Sequence, residues 1–196
     1  MKIAIYYHKI EALGGVEKSI IELCRTLSNA GHKVTFIFSD IKSDFNMLDR
    51  INQYADIKYI YYNSDEVYDI VFYETIHRVG EIKALQRKQI INNNWEDCNV
   101  NKKMVPICDE YIAVGNECKC QAERIINKKI KVIPNIINIE EIKKLSNIQV
   151  EFKNDCLTFV TVSRISFEKG FDRIVIMLKE LDKKNIEYKW YIIGEG

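Results

Sequence analysis

Residues 2 to 38 limit the fold more than any other part of the chain. KIAIYY (2–7) is a short β-rich run, and the loop HKIEALGG follows it. From there Val16, Ile20, Leu23, Cys24 and Leu27 recur at helical spacing. Gly31 stands just past the last of these, where a left-handed C-terminal cap is expected. KVTFIF (33–38) reads as a second strand. Strand, glycine loop, helix and strand within about 40 residues make a βαβ unit of the dinucleotide-fold type. The expected class is therefore α/β, with a Rossmann-like parallel sheet.

The same alternation runs on. IKYIYY (57–62) and YDIVFY (68–73) read as strands, 76–88 is helical in composition, and QII (89–91) is a short strand entering the loop NNNWEDCN. EYIAV (110–114) is another strand, after which Asn116 is placed to cap a helix carrying Ala122, Ile125 and Ile126. KVIP (131–134) and a short polar helix over 139–146 complete the series, and 147–155 is the expected domain boundary. The pattern then restarts. LTFVTVS (157–163) reads as a buried-type strand and RISFEKG as a loop. A helix from Phe171 places Phe171, Ile174, Val175, Leu178 and Leu181 on one face, and YKWYIIG (188–194) is the next strand. The expected organisation is one Rossmann-like domain over 1–150 and the first β-α-β of a second over 156–196. Two strands and one helix cannot cover both faces of a parallel sheet. That second domain is thus expected to be incomplete, either as a fragment of a longer enzyme or because another chain completes it.

Composition excludes several function classes. Of 196 residues 47% are apolar, enough for a packed core, and 29 Lys plus Arg against 28 Asp plus Glu give a net charge of +1. No broad field favours nucleic acid or an anionic membrane. The opening MKIAIYYHKI is interrupted by His8 and Lys9, too early for a secretory core, and no run is long enough for a membrane helix. A cytoplasmic protein is expected. The six cysteines include Cys118 and Cys120 as C-x-C, not the C-x-x-C pair of zinc or redox sites, and the histidines at 8, 32 and 77 do not cluster with them. Reduced packing thiols and no metal are expected.

Three segments carry chemistry. LGGVEKSIIELCRTLSNAGHKV (13–34) opens with Gly14 and Gly15 before a helix whose first amides lack partners and carry partial positive charge. Residues without side chains there let a phosphate approach the backbone; the alternative is a pair needed only for a tight turn. KVIPNIIN (131–138) is the second. In the third, VSRISFEKGFDRIVIMLKEL (162–181), Arg164 and Lys169 share one loop at the carboxyl end of an expected parallel strand, where open α/β sheets bind ligands. A guanidinium and an ammonium there suit a diphosphate; the alternative is pairing with Glu168 or Asp172 on a solvated turn.

In this order and spacing the three segments resemble the retaining glycosyltransferases with two facing Rossmann-like domains, the GT-B architecture of the group 1 or family 4 type. The first is similar to that family's N-terminal glycine loop, the second to its V-I-P-N-G-[IV]-D crossing, the third, continuing to YIIGEG, to the start of its donor domain. The resemblance implies sugar transfer with retention from a nucleotide-sugar donor to a saccharide or lipid-linked acceptor, in cell-surface polysaccharide or glycoconjugate synthesis. The donor diphosphate would lie on Gly14, Gly15, Arg164 and Lys169, whose fixed cations substitute for a metal. No catalytic residue is assigned.

The sequence departs from that family in places. Where its N-terminal domain carries a histidine near the donor sugar, this chain has Asn92, Asn93, Asn94 and Trp95; the asparagines can hydrogen-bond a sugar and Trp95 can stack on one. His77 is a further candidate contact. Ile136 and Asn138 replace the family's Gly and Asp, so that turn must differ or be strained. The family's donor domain carries an E-x7-E pair at a later point than G-E-G, so the 196 residues do not contain that motif. Two other readings stay open for these reasons: a catalytically incompetent binding module, or half of a split two-chain glycosyltransferase. A Rossmann dehydrogenase is disfavoured, because G-x-G-x-x-G is absent from 11–20 and Asp40 is the sole acidic residue ending the second strand. Lys83, Arg87 and Lys88 on the helix expected near 80–90 allow peripheral contact with the inner membrane face, the favoured alternative being a solvated basic face.

Overall fold

β1 (Lys2–Tyr7) pairs parallel with β2 (Lys33–Phe38), from Lys2 opposite Lys33 to Tyr7 opposite Phe38, and α1 (Gly15–Asn29) links them. The end of α1 shows how local chemistry sets the crossover. Gly31 takes φ +80°, its amide donates to the Ser28 carbonyl at 2.9 Å, and the His32 amide donates to the Leu27 carbonyl at 3.1 Å. This is a Schellman cap, and glycine adopts its left-handed position without steric cost. The computed structural model describes residues 1–11, 14–62, 65–74, 81–91, 108–150 and 155–194. They divide into two compact units, Met1–Ile139 and Glu140–Gly196.

In the first unit the strands β3 (Asp56–Tyr59), β4 (Tyr68–Tyr73), β5 (Ala84–Ile91), β6 (Glu110–Ala113) and β7 (Lys131–Val132) join β1 and β2 in one sheet, ordered β3-β2-β1-β4-β5-β6-β7. Every pairing is parallel. Strand alternation sends Ile5, Val34 and Phe36 to one face, where Ile20 and Cys24 of α1 and Met47 and Ile51 of α2 (Phe45–Asn52) cover them. Ala4, Tyr6, Val71, Tyr73 and Tyr111 go to the other face, against Ala122 and Ile126 of α3 (Asn116–Ile126). Full burial of one such aliphatic or aromatic side chain contributes about 1.5–3 kcal/mol.

Several elements differ from expectation. The helix expected over 76–88 is not formed in its described part: Ala84–Ile91 is a strand, hydrogen-bonded between β4 and β6. ALQRKQII has weak strand propensity, but a central parallel slot supplies partners on both sides, and strand preference follows context. The basic helical face expected for membrane contact is consequently absent. Lys83 pairs with Asp65 at 3.3 Å, Lys88 is 18% exposed and pairs with Glu110 at 3.1 Å, and Arg87 lies within β5. The strand expected over 57–62 ends at Tyr59 and passes into a 3-10 turn, Ile60–Tyr62. Helix α2 was not foreseen, although Asp44 caps it by accepting from the Met47 amide at 2.9 Å. Asn116 is the first residue of α3 and not its cap; Gly115 holds that position without a side-chain bond.

In the second unit α4 (Ile139–Ser146), which begins at the division, is followed by β8 (Leu157–Val162), α5 (Phe171–Lys183) and β9 (Tyr188–Ile193). β8 and β9 pair parallel from Leu157 opposite Tyr188 to Val162 opposite Ile193. The Trp190 indole Nε1 donates to Thr161 Oγ1 at 2.9 Å, and its ring lies 5.9 Å from that of Phe171. Among the described residues none of this unit is buried; Val162 is 72% exposed and Ile176 62%. The strand β8 forms as expected, but it is not a buried one, because a single helix and one neighbouring strand leave most of its surface uncovered.

Candidate functional site

Strand order reverses in the first sheet between β1 and β4: one flank runs β1, β2, β3, the other β4 to β7. A crevice opens outside the carboxyl ends of the strands at such a switch point, and it is where open α/β sheets take ligands. Tyr7 ends β1 there, and His8, Ser39 and Glu74 directly follow β1, β2 and β4. The Glu74 amide donates to the Tyr6 carbonyl at 3.1 Å, which ties the two flanks together at the reversal. Tyr7 is half-buried and its phenol is pushed up to about 12, first by desolvation, then by the carboxylates of Glu17, Glu74 and Glu11. The phenol therefore stays protonated at neutral pH.

On the opposite face of β1 the fully buried Tyr6 hydroxyl lies 2.9 Å from Ser39 Oγ, and Ser39 Oγ lies 2.8 Å from His8 Nδ1. The Ser39 and Asp40 amides both donate to the His8 carbonyl, at 3.1 and 2.9 Å. Backbone and side chain of His8 are thus both anchored to the segment after β2.

Of the two glycines expected ahead of the first helix, Gly14 precedes it and Gly15 is its first residue. Gly14 is the extended N-cap of α1, with φ −127° and ψ −174° and no side-chain cap, and the Lys18 amide makes the first helical bond to its carbonyl at 3.1 Å. The amides ahead of Lys18 have no intrahelical acceptor. A Cβ built on Gly15 meets nothing within 4 Å, so packing does not require glycine there. Glu17 is buried in the same first turn and sets a carboxylate beside the positive end of the helix.

At the corresponding edge of the second unit, Arg164 follows β8 and pairs with Glu168 at 3.3 Å, with the Arg164 side chain 75% exposed. The turn Phe167–Lys169 ends at Lys169, and Gly170 at φ +71° leads into α5. The Ser166 hydroxyl beside it, its own backbone amide, and then Arg164 and Lys169 hold the Glu168 carboxyl below its ordinary range. Arg164 therefore has the solvated-turn partner that the sequence allowed as an alternative, in an exposed pair of the kind that contributes little to stability. Gly194 follows β9 at φ +156°, and a Cβ there would stand 1.9 Å from the Ser163 carbonyl oxygen. Only glycine lets the ends of β8 and β9 come this close, and this places the backbone leading into Arg164.

The candidates Asn92, Asn93, Asn94, Trp95 and His77 lie outside the described residues. Ile136 takes no positive φ; among the described residues Asn127 and Asn185 are the non-glycines that do. The KVIPNIIN turn therefore differs from the glycine-containing form without strain at this residue. Among the described residues no group of three or more His, Cys, Asp or Glu gathers to hold a metal, and no helix is long and apolar enough to cross a membrane. Cys24 and Cys108 are buried thiols, pushed by burial up to about 12 and about 11. The reading of the sequence passed over His8, Ser39 and Gly194. The available signal was their position: each directly follows a strand on the carboxyl edge.

Comparison with known proteins bears on this arrangement. No protein-family profile matches the chain. It is 25% identical to an uncharacterized glycosyltransferase of Haemophilus influenzae, across the whole of this chain and 62% of that protein. Among solved structures it is similar to an alpha-glucosyltransferase in complex with UDP and a 13-mer DNA containing an HMU base. The TM-score is 0.63 and the identity 12%, over 99% of this chain and 67% of the other. An alpha-glucosyltransferase in complex with UDP gives a TM-score of 0.58 and 14% identity, over 97% and 63%. The fold is the one these glucosyltransferases have. The expected α/β class with a Rossmann-like parallel sheet holds, and the chain spans less than two thirds of the length of its glycosyltransferase relative.

Proposed function

We propose that this chain provides the first domain and the opening of the donor domain of a glycosyltransferase, which moves a sugar from a nucleotide-sugar donor to an acceptor. The observation that carries the reading is the fold shared with UDP-bound alpha-glucosyltransferases over nearly the whole chain, with a cationic loop, Arg164 to Lys169, following a parallel strand. In this reading Arg164 and Lys169 hold the donor diphosphate and stabilise the charge that grows on it as the glycosidic bond breaks. The open amides at Gly14 and Gly15 accept phosphate in the same role. Those cations make a metal unnecessary. Retention, an origin in the group 1 or family 4 glycosyltransferases, a cytoplasmic location and a role in polysaccharide or glycoconjugate synthesis belong to the proposal. So does a saccharide or lipid-linked acceptor; a net charge of +1 gives DNA no broad electrostatic attraction.

The chain alone is expected to be inactive, so the test is transfer from labelled nucleotide sugars by the full-length enzyme to which it contributes. Activity should be independent of chelator, and Arg164→Ala should lower it at least about tenfold, the loss of one charge-assisted contact. Retained activity in that variant would remove Arg164 from the role, and NMR of the product's anomeric centre decides retention.

One observation favours a second reading, a binding module or half of a two-chain enzyme: no described residue of Glu140–Gly196 is buried. In that case the chain binds a nucleotide sugar without transferring it, and transfer appears when a second polypeptide supplying the rest of the donor domain is added.

A further inference from the structure

Strand register puts three apolar side chains side by side on the α1 face of the first sheet. Ile5, in the core beneath α1, stands opposite Phe72. Phe72 stands opposite Lys88, two residues before Ile90, and Ile90 stands opposite Ile112. Phe72, Ile90 and Ile112 therefore share that face. They line a cavity of about 140 Å³, together with Ser19 and Leu23 of α1. The segment after β7 adds Pro134 and Ile136, and it is fixed where the Ile133 amide donates to the Ala113 carbonyl at 2.9 Å. Every lining residue belongs to the first unit. The diphosphate binding proposed above makes no use of this cavity.

The lining selects what can enter. Its side chains are chiefly isoleucine, leucine, phenylalanine and proline, and the Ser19 hydroxyl already donates to the Gly15 carbonyl at 2.9 Å. A bound water needs two to four polar partners, and a sugar ring needs a partner for each hydroxyl it brings out of water. Neither is served here. A protein cavity of about 150 Å³ with Leu, Ile and Phe walls stays dry and takes up benzene. The volume is also well below the roughly 300 Å³ at which sites for whole drug-sized ligands begin, so it suits one group and not a nucleotide sugar. We infer that this cavity is a binding site for an aromatic or alkyl group of about benzene's size. Such a group comes either as the apolar aglycone of a glycoside or as a free small molecule. The inference goes beyond the glycosyltransferase reading and does not depend on it.

The experiment titrates the 196-residue chain with toluene, and with paired phenyl and methyl glycosides of glucose, galactose and N-acetylglucosamine, followed by isoleucine methyl NMR. Toluene should give saturable shifts at Ile90, Ile112 and Ile136, with a Kd on the order of 1 mM, as burial of about 150 Å² of apolar surface supplies. Ser19→Leu places an apolar side chain in the cavity and should weaken binding at least about tenfold. Ser19→Ala, which leaves the space open, should bind as the unaltered chain does. Leucine suits a helix better than serine, so Ser19→Leu should be no less stable in urea. Ile136→Phe, outside any helix or strand, is a second blocking variant if it is. A phenyl glycoside that binds about 10- to 100-fold tighter than its methyl counterpart supports the site and identifies an aglycone. Toluene binding without that preference supports it and identifies a free molecule. No saturable shift with either probe, or binding that the blocking variants leave unchanged, overturns the inference. The glycosyltransferase reading stands or falls separately, on nucleotide-sugar transfer.

Discussion

Substituting alanine for Gly15 separates two explanations of the glycine loop that look alike in the sequence. Gly15 opens α1 in an ordinary helical conformation, and its added methyl would meet no atom within 4 Å. A glycine-to-alanine change at a compatible site stabilises a protein by about 0.4–1 kcal/mol, by narrowing the unfolded ensemble. At the first helical position the lower end applies, about 0.5 kcal/mol. With a urea slope of about 2 kcal/mol/M the midpoint should rise by about 0.25 M. A phosphate seated on the open amides of α1 would meet that methyl. The loss of one charge-assisted bond, about 1.5–3 kcal/mol, should weaken binding at least about tenfold. Urea denaturation followed by circular dichroism gives the first quantity, and titration with inorganic pyrophosphate and UDP gives the second. The expected result is a more stable protein that binds phosphate less well. A midpoint that falls would mean the glycine serves the turn, and unchanged affinity would refute phosphate contact at this helix.

Other perturbations have outcomes set by the same structure. Gly194→Ala forces a Cβ to within 1.9 Å of the Ser163 carbonyl oxygen and strains the hydrogen bond that the Ser163 amide donates to the Ile193 carbonyl. The cost should be about 2–4 kcal/mol, read from Trp190 fluorescence in a Trp95→Phe background; a change below about 0.5 kcal/mol would contradict the geometry. Ile20→Ala removes a side chain that is 0% exposed and should cost about 2–5 kcal/mol. Ile176→Ala, at 62% exposure, should fall within about 0.5 kcal/mol of no change in the same urea melts. The ammonium of Lys58, ahead of all other influences, holds the Glu66 carboxyl below its usual 4.5. A depressed carboxyl stabilises the fold above its unfolded-state value and ceases to do so as pH falls through the folded one. Stability should therefore decline below about pH 4.5, and Lys58→Met should flatten that decline by about 0.5 kcal/mol, as expected for a partly exposed pair.

Short-range patterning made much of the first unit legible. The spacing from Val16 to Leu27, the apolar runs 2–7, 33–38 and 68–73, and Gly31 as a helix stop are local signals, and each forms the element expected of it. The Gly14–Gly15 opening and the Arg164–Lys169 loop, proposed above to bind phosphate, were likewise visible as motifs, because residue type and order are all that a motif needs. Residues 84–91 were not legible in the same way. Their composition suits a helix, and they became a strand because β4 and β6 offer backbone partners on both sides.

The sequence alone thus determined the alternation of strand and helix and the α/β class. These depend on neighbours a few residues apart along one element. Tertiary structure decided which side chains converge. His8 and Ser39 are 31 residues apart and meet because β1 and β2 are parallel and in register. Gly194 must be glycine because β9 lies against β8. Burial likewise differs between two units of similar apolar pattern, because it depends on how many layers surround a strand, and no periodicity within the strand records that number.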